Sequence, residues 1–191
     1  VITQEEWWYF RDLYNDFIAI EASRGRNDTY KLGSSDITSP VTGVMTPDKG
    51  RGLVASRDIK KGEMIFTSTN NTIVYRTGDA WRGFLLHLYY SPPLNDHYKD
   101  GFACDIRAWS WNQEFETAEG MVLAIVVDLD SSSILNRPSR GQVHNIQCGK
   151  LGEDDSECGM DYYAVKDIKK GEEILCTYSD FSDPQWKTFG L

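Results

Sequence analysis

A nine-residue segment occurs twice in this 191-residue chain. Residues 57–65 read RDIKKGEMI and residues 166–174 read KDIKKGEEI, so seven of the nine positions are identical. Gly62 and Gly171 follow the paired lysines, where a glycine adopts the positive φ of a tight turn at low cost. Two widely separated copies are too few for a solenoid. The repeat predicts two similar strand–turn–strand units, with strands at 53–55, 64–67, 162–165 and 173–177.

Helical patterns lie outside the repeat. Residues 4–22 place aromatic and aliphatic side chains at three- and four-residue spacings, which is typical of an amphipathic helix. A loop rich in Ser, Thr, Asp and Gly follows over 27–43. A short helix is expected over 83–90, before Pro92 ends it. The apolar run 121–128 is short enough to be a buried strand, so the chain is predicted to be mainly β with added helices.

The charge balance restricts the partners. The chain has 20 Lys and Arg against 29 Asp and Glu, which gives a net charge of −9. A negative protein repels phosphate backbones, so direct nucleic-acid binding is disfavoured and a basic protein or peptide partner is favoured. No apolar run approaches the roughly 18 residues of a membrane-spanning helix, so no membrane span is expected. The oligomeric state is left open by the sequence.

The chain has four cysteines: Cys104, Cys148, Cys158 and Cys176. They lack the paired spacing of zinc-binding or redox motifs, so no metal site is expected and we interpret them as ordinary reduced thiols. Whether Cys148 and Cys158, on either side of an acidic stretch, are paired stays open. The even number of cysteines and two N-x-T sequons, at Asn27 and Asn70, keep a secretory compartment open.

Four further motifs follow one another along the chain. Residues 49–53 read KGRGL, residues 134–137 read ILNR, residues 144–146 read HNI, and residues 171–178 read GEEILCTY. Each motif alone is weak evidence. Their order resembles the SET domain of protein-lysine methyltransferases, in which a G-x-G turn is followed by D-I-x-x-G-E, N-H-S-C-x-P-N and a closing G-E-E-L-x-x-x-Y. The resemblance covers about residues 49–181.

The resemblance implies the SET-domain fold, also called β-clip: short antiparallel sheets with a knot-like C-terminal crossing, plus an N-terminal helix here. It divides the chain into an N-terminal helix and linker over 1–42 and a SET domain over 43–181 with a variable insert at about 76–120. Residues 182–191 form a closing segment that lacks the cysteine-rich zinc cluster found after some SET domains.

The implied activity is transfer of a methyl group from S-adenosylmethionine to the ε-amine of lysine in a basic protein, either a histone or another lysine-rich protein. Tyr178 is the expected catalytic residue, because its hydroxyl can orient a neutral amine toward the sulfonium methyl group. Gly50 and Gly52 would allow the main chain to approach the cofactor. Asn136 would hold its methionine portion, and Asn145 would brace the crossing.

Two sets of site residues follow from the resemblance. The expected cofactor-binding residues are Lys49, Gly50, Arg51, Gly52, Leu53, Asn136, Arg137, Tyr178 and Trp186. The expected substrate-binding residues, mostly aromatic because aromatic faces hold a methylated ammonium group, are Tyr89, Trp109, Trp111, Asn145 and Phe181.

Two departures from the family pattern keep another function open. Arg137 stands where the family has histidine, and Asn136 and Asn145 are nine positions apart, a longer interval than the family usually has. The alternative function is therefore a SET-like protein-binding module that has lost methyl transfer. The resemblance implies a nuclear or cytoplasmic location, beside the secretory compartment that the sequons and cysteines leave open.

Overall fold

The computed structural model describes residues 2–26, 39–66, 71–92, 102–118, 120–149, 152, 161–177 and 183–190, with side chains from residue 186 in the last segment. In chain order its helices and strands are α1 Gln4–Ser23, β1 Val41–Thr46, β2 Gly50–Ala55, β3 Met64–Phe66, β4 Thr72–Tyr75, α2 Gly78–Tyr90, α3 Phe102–Trp109, β5 Trp111–Thr117, β6 Gly120–Asp128, β7 Ile146–Cys148, β8 Tyr162–Ala164 and α4 Asp183–Thr188. A 3-10 turn, Ser131–Ile134, follows β6.

The chain divides into two compact units. The first consists of Val1–Thr3, Ser35–Thr69 and Ser131–Ser179, and the second of Gln4–Ser34, Asn70–Asp130 and Asp180–Leu191. The first unit contains the antiparallel hairpin β1–β2 and a three-stranded antiparallel sheet in the order β3-β8-β7. The second contains a three-stranded antiparallel sheet in the order β4-β6-β5 and the four helices. Short antiparallel sheets with an N-terminal helix confirm the predicted fold class.

The two copies of the repeat meet in the first unit. The main-chain amide of Ile59 donates to the carbonyl of Ile168, and the amide of Ile168 donates to the carbonyl of Ile59, both at 2.9 Å. Both isoleucine side chains are fully buried. Gly62 and Gly171 each have φ of 83°, as the two predicted tight turns require. The copies therefore form one reciprocal pair rather than two separate turns.

The segment over 173–177 was predicted as a strand, but it forms single bridges with several neighbours instead. The amide of Cys176 donates to the carbonyl of Asn136 at 3.1 Å, and the carbonyl of Leu175 accepts from the amide of Asn145 at 3.0 Å. These two groups belong to the same peptide unit and point in opposite directions. The segment therefore passes between residue 136 and residue 145, as a crossing requires.

The second unit has an aromatic core between its helices and its sheet. The rings of Tyr14 on α1 and Phe84 on α2 meet edge to face at 5.3 Å. Helix α1 agrees with the predicted helix over 4–22 to within one residue. Helix α2 begins five residues before the predicted start at residue 83, because the Thr77 side chain accepts a hydrogen bond from the Ala80 amide and caps it. Helix α3 and strand β5 were not predicted.

Three observations on the described residues concern membrane-spanning helices, metal-binding groups and the state of the cysteines. No helix in these residues combines the length and apolar character needed to cross a bilayer. They contain no group of three or more His, Cys, Asp or Glu that is arranged to hold a metal ion. Cys148 is disulfide-bonded, whereas Cys104 and Cys176 are free thiols. The interpretation of all four cysteines as reduced thiols is therefore wrong for Cys148, and Cys158 lies outside the described residues.

Candidate functional site

The two glycines of the KGRGL motif have different structural roles. Gly50 has φ of 73° at the turn between β1 and β2, and open space surrounds it. Gly52 lies in β2, where a Cβ atom would stand 2.4 Å from Nδ2 of Asn136 and 2.9 Å from Cγ2 of Thr46. Those distances are too short for any side chain. Gly52 is therefore required by the close approach of Asn136, a reason inside the protein that the sequence did not show.

Asn136 follows the 3-10 turn and directs its carboxamide nitrogen toward β2. Nδ2 donates to the main-chain carbonyl of Arg51 at 3.0 Å and to Oε1 of Glu173 at 3.2 Å. Both hydrogens of the amide nitrogen are thereby used. Within the part of the chain that the structure describes, Oδ1 has no hydrogen-bond donor. Asn136 is partly buried, and its role in cofactor binding stays a prediction.

Glu173 is held from its other side by Lys49. Nζ of Lys49 lies 2.9 Å from Oε2 of Glu173, and the two side chains are 12% and 20% exposed. The same ammonium group donates to Oε1 of Gln142 at 2.9 Å. Gln142 lies in the long interval between Asn136 and Asn145, and it also accepts from the amide of Ser139 at 2.8 Å. One polar network thus joins the KGRGL motif, the GEE motif and the long loop.

Asn145 is buried, with 1% of its surface exposed. Its Nδ2 donates to the carbonyl of Glu173 at 2.7 Å, and its Oδ1 accepts from the amide of Leu175 at 2.8 Å. These bonds attach the side chain to the main chain of the crossing segment. A buried carboxamide is tolerated only when it is satisfied in this way. Asn145 therefore holds the main chain of the crossing segment, as expected, and its assignment to substrate binding stays a prediction.

Glu172 lies beside this brace. Burial alone raises the pKa of its carboxyl group, but hydrogen bonds from Lys166, from the Lys169 amide and from Asn145 lower it, and the net pKa is below the ordinary value. Oε1 of Glu172 is 2.9 Å from Nζ of Lys166 and 3.5 Å from Nδ2 of Asn145. The carboxylates of the two glutamates in the GEE motif thus have separate partners: that of Glu172 contacts Asn145, and that of Glu173 contacts Asn136.

The structure describes most of the expected cofactor-binding residues within the first unit. Leu53 is fully buried, and Arg137 is exposed. The polar contacts described above involve Lys49, the Arg51 carbonyl and Asn136, and Asn136 also lies close to Gly52. The side chain of Leu53 belongs to the core. Tyr178 and Phe181 lie outside the described residues, and their roles stay predictions.

The remaining expected site residues belong to the second unit. Tyr89 is 73% exposed on α2. The ring of Trp109 packs 5.3 Å from the ring of Trp7. The ring of Trp186 lies 5.6 Å from that of Trp81 in α2, so Trp186 has a packing role, and Trp111 begins β5. The assignment of these residues to substrate or cofactor stays a prediction.

Sequence reasoning missed Glu173 and Gln142 as site residues. Glu173 lies in the GEEILCTY motif and is also one of the two positions at which the copies of the repeat differ, with Met64 in the first copy, but no role was predicted for it. Gln142 had no local signal, because its partner Lys49 lies 93 positions away along the chain. Two sequence signals, the closing motif and the difference between the copies, could therefore have led to Glu173.

Several solved structures are similar to this chain. Polycomb Repressive Complex 2 of Chaetomium thermophilum, bound to S-adenosylmethionine, matches with 20% identity and a TM-score of 0.46 over 81% of this chain, which spans 17% of that chain. The methyltransferase domain of human PR domain-containing protein 2 matches with 15% identity and a TM-score of 0.40 over 77% of this chain and 81% of that chain.

The Neurospora SET domain protein DIM-5, a histone lysine methyltransferase, matches with 17% identity and a TM-score of 0.41 over 76% of this chain and 56% of that chain. A comparison with curated protein sequences finds no significant match. The family model of the SET domain matches residues 50–179, which is more than half of the chain and contains all the motifs on which the resemblance rests except Lys49, the first residue of KGRGL. The chain belongs to the SET-domain family.

Proposed function

We propose that this protein transfers a methyl group from S-adenosylmethionine to the ε-amine of lysine in a basic protein substrate. The observation that carries the proposal is the carboxamide of Asn136, whose nitrogen is held by Arg51 and Glu173 while its oxygen is left as an acceptor. Membership of the SET-domain family supports the same activity. A histone or another lysine-rich protein is the substrate class that we propose, in keeping with a net charge of −9.

The residues in the first unit fit S-adenosylmethionine. The amino-acid portion of this cofactor carries an ammonium donor, and Oδ1 of Asn136 is an acceptor without a donor among the described residues. Main-chain groups of the turn at residues 49–53 are the other candidates for holding it. The cofactor supplies the methyl group on a sulfonium centre, which makes the methyl carbon electrophilic.

The chain's own task is to align the acceptor amine with the cofactor and to remove water from it, and the amine arrives already deprotonated. A lysine that enters an apolar channel loses water, and desolvation lowers its pKa because it disfavours the charged form. Tyr178 is proposed to orient the neutral amine with its hydroxyl oxygen. No general base is needed when the amine is already neutral on arrival.

A protein-binding module without methyl transfer is the second candidate function. Arg137, exposed at the position of the family histidine, is the observation that favours it. Calorimetric titration with S-adenosylmethionine separates the two functions. The enzyme is expected to bind with a dissociation constant in the range of about 1–50 μM, and a lapsed module to show no binding at millimolar cofactor.

The enzymatic proposal is tested by Tyr178→Phe. We expect turnover to fall at least about tenfold, which corresponds to about 1.4 kcal/mol of barrier, because only the hydroxyl that positions the amine is lost. Cofactor affinity is expected to stay unchanged. Methyl transfer to a panel of basic proteins, detected by mass spectrometry, measures the effect. Tyr90→Phe, at an exposed tyrosine on α2, is the matched control and should leave turnover unchanged.

One result would count against the role of Tyr178, and another against the enzymatic activity. Turnover that persists in Tyr178→Phe would remove the role of Tyr178 but leave the activity. Absence of both cofactor binding and methyl transfer in the wild-type protein would favour the binding module.

A further inference from the structure

We infer that Glu173 is a positioning residue that fixes the carboxamide of Asn136 with its oxygen turned outward for the cofactor. This inference rests on the proposed function, since it concerns how the cofactor site is oriented. It adds a residue that the family resemblance did not assign, and it gives the long loop after Asn136 a part in the site.

The first step concerns the orientation of the amide. A carboxamide can rotate by half a turn and exchange its oxygen and nitrogen, so its orientation depends on its neighbours. Nδ2 of Asn136 faces a main-chain carbonyl at 3.0 Å and a carboxylate oxygen of Glu173 at 3.2 Å. Both neighbours are acceptors only. The rotated amide would place its oxygen against two other oxygens, so this pair of acceptors determines which end faces outward.

The second step concerns what holds Glu173. A glutamate side chain has several rotatable bonds and would move freely if it were unattached. Lys49 contacts its second carboxylate oxygen at 2.9 Å, and both side chains are largely buried. Partial burial reduces screening by water and strengthens such a pair. Lys49 therefore holds the carboxylate in the position from which it contacts Asn136.

The third step concerns the long loop. Gln142 accepts from Lys49 at 2.9 Å and from the amide of Ser139 at 2.8 Å, so it ties the loop to the same ammonium group. The longer interval between Asn136 and Asn145 is one of the two departures from the family pattern that keep another function open. In this structure a residue of that interval supports the site by restraining Lys49.

The repeat supplies a matched pair of variants. Glu173→Met installs the residue found at the equivalent position of the first copy, and Met64→Glu is the reciprocal change at a side chain that is 47% exposed. Both change one carboxylate within the same local sequence. The readout is the dissociation constant, from calorimetry, for S-adenosylmethionine and for 5′-methylthioadenosine, which lacks the amino-acid portion.

We expect Glu173→Met to weaken S-adenosylmethionine binding at least about tenfold, the effect of misplacing one hydrogen bond to a charged group. Binding of 5′-methylthioadenosine should change less than about twofold, since it makes no use of Asn136. Met64→Glu should change neither constant. Lys49→Met should act in the same selective direction with a smaller loss, and it tests the inference if Glu173→Met does not fold.

A double-mutant cycle with Asn136→Ala provides the second measurement. If Glu173 acts through Asn136, the double variant binds S-adenosylmethionine no more weakly than Asn136→Ala alone, whereas independent effects would multiply. Three results would overturn the inference and leave the proposed function intact. They are losses of affinity that multiply in the double variant, equal losses of affinity for both ligands in Glu173→Met, or wild-type affinity for S-adenosylmethionine in Glu173→Met. Absence of S-adenosylmethionine binding in the wild-type protein would overturn both.

Discussion

The two copies of the repeat share one turn but differ in what the turn positions. Asp58 of the first copy accepts hydrogen bonds from Nζ of Lys169 at 2.8 Å and from the amide of Lys170 at 3.0 Å. Asp167 of the second copy accepts from Nζ of Lys60 and from the amide of Lys61 at the same two distances. The charged positions common to both copies thus hold the copies to each other.

The copies differ where the second copy contacts the candidate site. Met64 begins β3 and pairs with Tyr163 of β8 in an antiparallel sheet, with a register shift between Met64 and Phe66. Glu173, its counterpart, contacts Asn136 and Lys49 and leads into a segment with single bridges. The shared residues build the framework, and a residue outside that shared pattern contacts the site. A repeated motif therefore identifies the scaffold, and the differences between its copies direct attention to the function.

The largest loss of stability is expected from Asn145→Ala, which removes contacts to the second copy of the repeat and its continuation. Asn145 supports only the second copy, through the carbonyl of Glu173 and the amide of Leu175. Its loss removes the side-chain partners of the buried Leu175 amide and of the partly buried Glu173 carbonyl, which should cost about 2–4 kcal/mol of unfolding free energy. The measurement is the denaturant midpoint together with the m-value.

Asn112→Ala is the matched control for that experiment. Both polar atoms of the Asn112 carboxamide are buried and have no hydrogen-bond partner among the described residues, so removing them should leave stability unchanged or raise it. Equal losses in the two alanine variants would show that the brace at Asn145 contributes nothing beyond packing.

A smaller loss of stability, equal in the two copies, is expected from Gly62→Ala and Gly171→Ala. Both glycines have φ of 83°, where an alanine costs about 1–2 kcal/mol. Because the two turns have the same conformation, the two losses in unfolding free energy should be equal. Lys170→Ala, at an exposed neighbouring position, is the control and should have little effect. A clear difference between the glycine variants would mean that the turns are not equivalent.

The smallest loss of stability is expected from Asp58→Asn and Asp167→Asn. A hydrogen bond from Lys169, followed by one from the Lys170 amide, lowers the pKa of Asp58 below 3.8, and Lys60 and the Lys61 amide lower the pKa of Asp167 in the same way. A lowered pKa in the folded state means that each carboxylate stabilises the fold above its ordinary pKa. That contribution is lost as the pH falls through the lowered value.

The two asparagine variants should therefore melt slightly below the wild-type protein at neutral pH, by equal amounts. The difference should shrink as the pH falls through the lowered pKa of each aspartate, because the wild-type carboxyls then become protonated as well. Both aspartates are exposed, so high salt should also reduce the difference. A difference in Tm that does not depend on pH would mean that the Asp–Lys pairs are not its source.

Elements with a strong local signal could be predicted from the sequence. Helix α1 was found because its apolar residues recur with the helical period over 20 residues, and the turns at Gly62 and Gly171 because glycine marks a left-handed position. Helix α3 has eight residues and β5 seven, and neither carries enough periodic positions to be recognised. Short elements of this kind depend on packing against the rest of the fold.

By itself the sequence determined the family, because the order of the KGRGL, LNR, HNI and GEEIL motifs can be recognised without knowing which residues they contact. It also determined that two copies of one turn exist. Only the tertiary structure showed that Glu173 meets Asn136 and Lys49, which lie 37 and 124 positions away along the chain. Contacts between such distant residues leave no local pattern, since they arise only when packing of the buried core brings separate strands together.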